Sequence, residues 1–241
     1  MGERPQGLAG SHERTLLGVL SDDVLLPLVQ VKTALELIAE NPKTAKDNGY
    51  FEQLFLSTEA GIRLVEAYRM LLGNQPLPLE PTAIGPVLDE IAQQLQTYAS
   101  SYKTELIVDL PGSLKPVLAH RPSFFAAMQC LGTSLIRSSD AVEAGSPRRL
   151  LLAAHGSVNA KTVVGVFGGF NEAGRYAWRS ARRLQGRARQ PLPNVPAAAT
   201  GGLLVADLLC TAMRRPLQMA RHNKLNGLAA LMPVSRQLHL V

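Results

Sequence analysis

The sequence predicts an α+β protein, a long antiparallel helical hairpin followed by a mixed α/β domain. Apolar residues recur every three to four positions along two long stretches in the first third of the chain. The stiff segment Pro76-Leu-Pro-Leu-Glu-Pro81 then interrupts the pattern. Beyond it, helix-period and strand-like segments alternate. The 241 residues allow one or two domains, and the boundary is placed before the proline segment, giving a hairpin domain at 1–75 and an α/β domain at 76–241.

The first helix is predicted from about Glu13 to Glu40, where Leu17, Leu20, Val24, Leu28, Val31, Leu35 and Ile38 form a heptad-like stripe. Asn41-Pro42 ends it. A second stripe, Phe51, Leu54, Thr58, Ile62, Val65, Tyr68 and Leu72, stops at Gly73-Asn-Gln-Pro76. Two such helices leave part of each stripe in water. A second copy of the chain would bury it in a four-helix bundle, and packing on the chain's own second domain is the alternative.

In the second half, 84–100 reads as a helix, 105–110 and 117–120 as strands, and 122–138 as a helix opened by proline. Residues 149–155 and 162–167 read as a hairpin. The stretch 168–200, rich in Gly, Arg and Pro, reads as a long loop, and 202–214 as a helix. The apolar stretches 227–233 and 237–241 read as closing strands.

Composition narrows the class of protein. The two cysteines, Cys130 and Cys210, exclude a disulfide framework and suit a reducing compartment. The five histidines are scattered without metal-ligand spacing, so no metal site is expected. No apolar run is long enough to span a bilayer, and the first residues lack a signal-peptide core; a cytoplasmic protein without membrane contact is expected. The net charge of +6 favours acidic partners in general.

Helix one contains Ser21-Asp22-Asp23-Val-Leu-Leu-Pro27-Leu28. This resembles the phosphorylation motif of the sensor histidine kinases, Ser-His-Glu-x-x-x-Pro-Leu, with serine, an acid, proline and leucine in register. A proline inside a helix costs ~3 kcal/mol, so its retention asks for a reason. Asp22 stands where the family carries its phospho-accepting histidine, and a carboxylate is a weaker nucleophile than a neutral imidazole. Ser11-His12-Glu13 resembles the motif superficially but lacks the proline. The rest of the chain resembles the ATP-binding domain of the same kinases, the GHKL-type sandwich, in the order of its elements.

The family's nucleotide residues are replaced. Its two helix asparagines, the second a magnesium ligand, correspond to Cys130 and Ser134, with Arg137 where lysine is usual. Its Asp-x-Gly-x-Gly motif corresponds to Phe167-Gly168-Gly169, with Phe167 in the place of the adenine-binding aspartate. Its phosphate-cradling glycines correspond to Thr200-Gly201-Gly202-Leu203, expected at a helix N-terminus. The resemblance implies ATP with magnesium as cofactor; cysteine and serine are poor partners for that hard ion, so no cofactor is assigned.

The reading that follows is a catalytically impaired kinase-like protein, a homodimeric adaptor or regulator that docks a response regulator or another two-component protein. A divergent ATP-binding kinase or ATPase and a degenerate-kinase histidine phosphotransferase are the alternatives. Arg175, Arg179, Arg182, Arg183, Arg187 and Arg189 crowd the segment where the family has its ATP lid. They read either as a solvated loop or as a site for an acidic partner or phosphate-bearing ligand. No nucleic-acid module accompanies them, so DNA or RNA is not the expected partner.

Overall fold

The structure is a computed structural model describing residues 29–31, 33, 50–72, 77–138, 148–157, 161–168, 172–185 and 197–235. Residues 29–31 and 33 are helical; the rest of the first predicted helix, with Asp22, Asp23, Pro27 and His12, lies outside the described residues. So do Gly169, Arg187, Arg189 and the predicted strand 237–241.

The second predicted helix is present as α1, Tyr50–Leu72. Its inward face carries Leu56, Leu64 and Ala67, with Ala60 and Leu71 beside them, and joins the main core formed with the later elements. These positions share one side of a helix. Of the predicted stripe, Tyr68 packs against the same core, whereas the middle of the stripe points elsewhere. Thr58 is exposed, and Ile62 and Val65 keep 49% and 41% of their surface in solvent. The helix therefore has two apolar faces, and the packing on the chain's own second half uses mainly the one that the periodicity did not select, with Tyr68 at its border.

The proline segment runs into a short strand, β1 (Glu80–Thr82), which pairs with β3 (Val117–Ala119). Between them come α2 (Ile84–Ser101) and β2 (Thr104–Asp109). Helix α3, Arg121–Arg137, starts with His120 as N-cap, whose Nδ1 accepts a hydrogen bond from the Ser123 backbone N–H, and with Pro122 in the first turn, where its missing N–H costs nothing. Strands β4 (Arg148–Ser157) and β5 (Lys161–Phe167) form the predicted antiparallel pair.

Two readings of the segment that follows are corrected. Residues 172–184 form a helix, α4, rather than part of a loop. Ala177, Trp178 and Ala181 lie on one side of it and are buried in the core. Arginine is a good helix former, so an alanine–tryptophan stripe among arginines is an amphipathic helix; composition alone hid it. The next helix, α5, spans Ala197–Ala212 and so begins a turn before Gly201. Strand β6 (Gln218–His222), absent from the sequence reading, pairs with β7 (Leu225–Pro233) through a tight turn. Asn223 and Lys224 both take positive φ there, the backbone a two-residue hairpin turn requires.

The main sheet has the order β2-β4-β5-β7-β6, parallel between β2 and β4 and antiparallel elsewhere. Among the described residues, α1 to α5 all pack on one face. The other face holds a second, smaller cluster around Leu151, Ala153, Val163, Phe167 and Ala229. This outer face is lined by small residues where strands crowd. A Cβ on Gly165 would strike the Leu228 carbonyl and the Ala229 backbone, and one on Gly227 would strike the Val166 carbonyl and Phe167. The missing side chains let the twisted sheet coil until distant parts of this face meet, as Asp109 on edge strand β2 and His222 on edge strand β6 show.

Candidate functional site

The positions that the sequence reading assigned to a nucleotide lie where α3 crosses α5. Cys130 and Ser134 sit on the α5-facing side of α3, both buried. Thr200, Gly201, Gly202 and Leu203 are also buried, and they are inside α5 rather than at its start. Their backbone N–H groups are therefore not the free donors of a helix N-terminus, which corrects the expected phosphate cradle. Gly202 faces α3 so closely that a Cβ there would collide with Ser134 Oγ and lie 3.2 Å from the Cys130 carbonyl oxygen. The glycine and serine serve as a helix-to-helix contact.

Burial pushes the Cys130 thiol up to about 12, so it is protonated at neutral pH and offers a hard cation nothing. Among the described residues no group of three His, Cys, Asp or Glu side chains is arranged to hold a metal ion. The residues at this crossing do not fit a magnesium nucleotide. Arg137 lies at the far end of α3, half-buried.

The glycine after β5 is also structural. Gly168 has φ +92°, its N–H donates to the Asn226 carbonyl at 2.9 Å, and its Cα lies against the Arg149 carbonyl. Phe167, read as standing in the place of an acidic base-reader, points into the cluster on the outer face. The neighbouring side chain that β5 sends toward the helices is Val166, which belongs to the main core. Alternation along a strand makes this a one-residue difference in register with opposite consequences for which face is reached.

Two groupings were not legible in the sequence. The first is a cleft of ≈ 480 Å³ between α4 and the β6–β7 hairpin, whose walls include Arg175, Arg179, Arg182, Arg221, Trp178 and Asn226. Arg182 holds its guanidinium 5.9 Å from the centre of the Trp178 ring. Three of these arginines belong to the sequence run along α4, whereas Arg221 comes from β6, which periodicity does not reveal.

The second lies on the outer face. His222 Nε2 donates to Asp109 Oδ2 at 2.9 Å, and His222 Nδ1 and His155 Nδ1 share a hydrogen bond at 2.9 Å. Asn223 Nδ2 also donates to Asp109 Oδ2, at 2.7 Å. The imidazole rings of His155 and His222 stack with centroids 5.0 Å apart, and Phe167 lies 5.2 Å from His222. Burial, and then the neighbouring His222, lower the pKa of His155. The two Nδ1 atoms face each other at hydrogen-bond distance, so no ion fits between them. Residues 109, 155 and 222 are too far apart in sequence for spacing to connect them.

By sequence, no family model and no curated protein matches the chain. Solved structures do match. The histidine kinase AdeS of Acinetobacter baumannii superposes with a TM-score of 0.52 at 16% identity, covering 87% of this chain and 95% of that one. A bacterial phosphotransferase aligns at 14% identity over 92% of this chain and 96% of its own, with a TM-score of 0.49. A histidine kinase from Burkholderia phymatum STM815 gives 12% identity, coverage of 89% and 97%, and a TM-score of 0.44. At such identities the likeness concerns architecture, and the first of these carries it: the chain has a histidine-kinase-like fold.

Proposed function

We propose that the protein is a catalytically impaired, histidine-kinase-like signalling protein that works as a dimeric adaptor or regulator in a two-component pathway. The observation that carries this reading is the contact of Gly202 on Ser134. The positions matching the family's magnesium and triphosphate residues are spent on packing α5 against α3, and the Cys130 thiol beside them is buried and protonated. The sequence adds Asp22 at the phospho-acceptor position and no acidic side chain at the base-reading position. Residues 1–75 would supply the dimer interface, and the second apolar face of α1, around Ile62 and Val65, supports that assignment. The partner would be a response regulator or another two-component protein docking on the hairpin.

Thermal-shift titration with ATP and ADP, with and without magnesium, tests the impairment. No shift at millimolar nucleotide is expected. A saturable, magnesium-dependent rise in Tm would replace this reading with that of a working nucleotide-binding enzyme. Incubation with a phosphorylated receiver tests the relay alternative: no acid-labile label is expected on the wild type, and label lost in His12→Ala would identify a phosphotransferase.

A further inference from the structure

We propose that the cleft between α4 and the β6–β7 hairpin binds a small phosphate-bearing ligand through Arg175, Arg179, Arg182 and Arg221. The three helix arginines stand at i, i+4 and i+7, which puts them on one side of α4. Arg221 reaches the same space from β6. Four exposed guanidinium groups thus converge from two elements, and among the described residues no carboxylate lines the cleft or pairs with any of them. Like charges at helical spacing oppose folding of α4, and an anion in their midst would reverse that opposition.

The chemistry suits phosphate. Guanidinium offers planar, paired N–H donors that match two phosphate oxygens, and the Asn226 side chain adds a neutral donor at the hairpin end. The wall behind them is fixed. Trp178 is 3% exposed and packed in the main core, and its ring holds Arg182 beside the opening. The volume of ≈ 480 Å³ matches a small molecule, within the range of about 300–1,000 Å³ typical of such sites. This cleft is separate from the α3–α5 crossing, and the proposal stands whether or not the kinase-like reading does.

Inorganic pyrophosphate is the probe. Calorimetric titration of the full chain at fixed ionic strength should give saturable binding. Fluorescence of Trp178, the only tryptophan in the chain, should change along the same isotherm. Arg179→Gln and Arg221→Gln, on different elements, should each weaken binding by about tenfold or more. Arg121→Gln, which removes an exposed charge paired with Glu90, should leave it unchanged. Arg221→Glu should abolish binding and raise Tm in the absence of ligand, an outcome that a purely structural role for the arginine would not produce.

Competition by phosphatidylglycerol vesicles would identify a lipid headgroup as the source of the phosphate and supports the site. Absence of saturable binding, or equal affinity in all variants, would overturn the proposal. Binding of RNA or an acidic peptide without binding of pyrophosphate would overturn it as well, in favour of a macromolecular surface.

Discussion

Gly165 sits where the backbone of β7 comes so close that a Cβ would meet the Leu228 carbonyl and the Ala229 Cα. Gly165→Ala should destabilise the fold by roughly 3 kcal/mol or more, read as a lower urea midpoint, because carbonyl and Cα atoms of a neighbouring strand cannot swing aside as a side chain could. Gly202→Ala is expected to cost less. The atom in the way is the end of a serine side chain, so Ser134→Ala in the same protein should restore part of the loss. His155 gives a dependence on pH. Its folded-state pKa lies below the usual 6.5, so the unfolded chain takes up the proton first and stability falls as pH drops through and below that value. Chemical denaturation between pH 7.5 and 5 should show this decline, and His155→Gln should flatten it. The titrating group faces His222, which in turn contacts Asp109, so the variant also tests whether the three side chains act together.

Among the elements, α5 depends on one charged residue. Asp207 is fully buried, accepts the Leu217 N–H at 2.7 Å and the Gln185 amide at 2.8 Å, and so ties the helix to the end of α4 and to the approach of β6. Asp207→Ala should cost about 3 kcal/mol in equilibrium unfolding, since it leaves a buried N–H without its acceptor. Helix α1 carries a different expectation. Ile62→Glu alters a face that the other described residues leave open, so it should turn the proposed dimer into a monomer by sedimentation while leaving Tm nearly unchanged. A drop in Tm with no change in mass would place the interface elsewhere. The elements also show how far a sequence can be read. Periodicity located α1, α2, α3 and the β4–β5 pair within a few residues, because each repeats one signal over a length that noise does not imitate. It failed for α4, where arginine, glycine and proline dominate the count and three small or aromatic residues carry the burial. It failed again for β6, a five-residue edge strand whose residues are mostly solvent-facing. Missing those two elements concealed both walls of the arginine cleft.

At the scale of the whole molecule, the core is continuous from α1 through α2, α3, α4 and α5 on one face of the sheet, so α1 and the rest of the described residues share their packing. The order of elements, and with it the resemblance to the kinase architecture, was readable because topology follows from the sequence of helix and strand signals. The faces were not readable. Whether Phe167 or Val166 looks toward the helices depends on strand register, and whether Gly202 caps a helix or lies within one depends on where the helix begins.

The link between Asp109 and His222 joins the two outermost strands through residues 113 positions apart. An ordinary open sheet frays from its rims inward, each rim on its own account. Here neither rim can peel without releasing the other, so amides of β2 and β6 should exchange with deuterium at a common rate, and Asp109→Asn should split that shared rate into two faster, unequal ones.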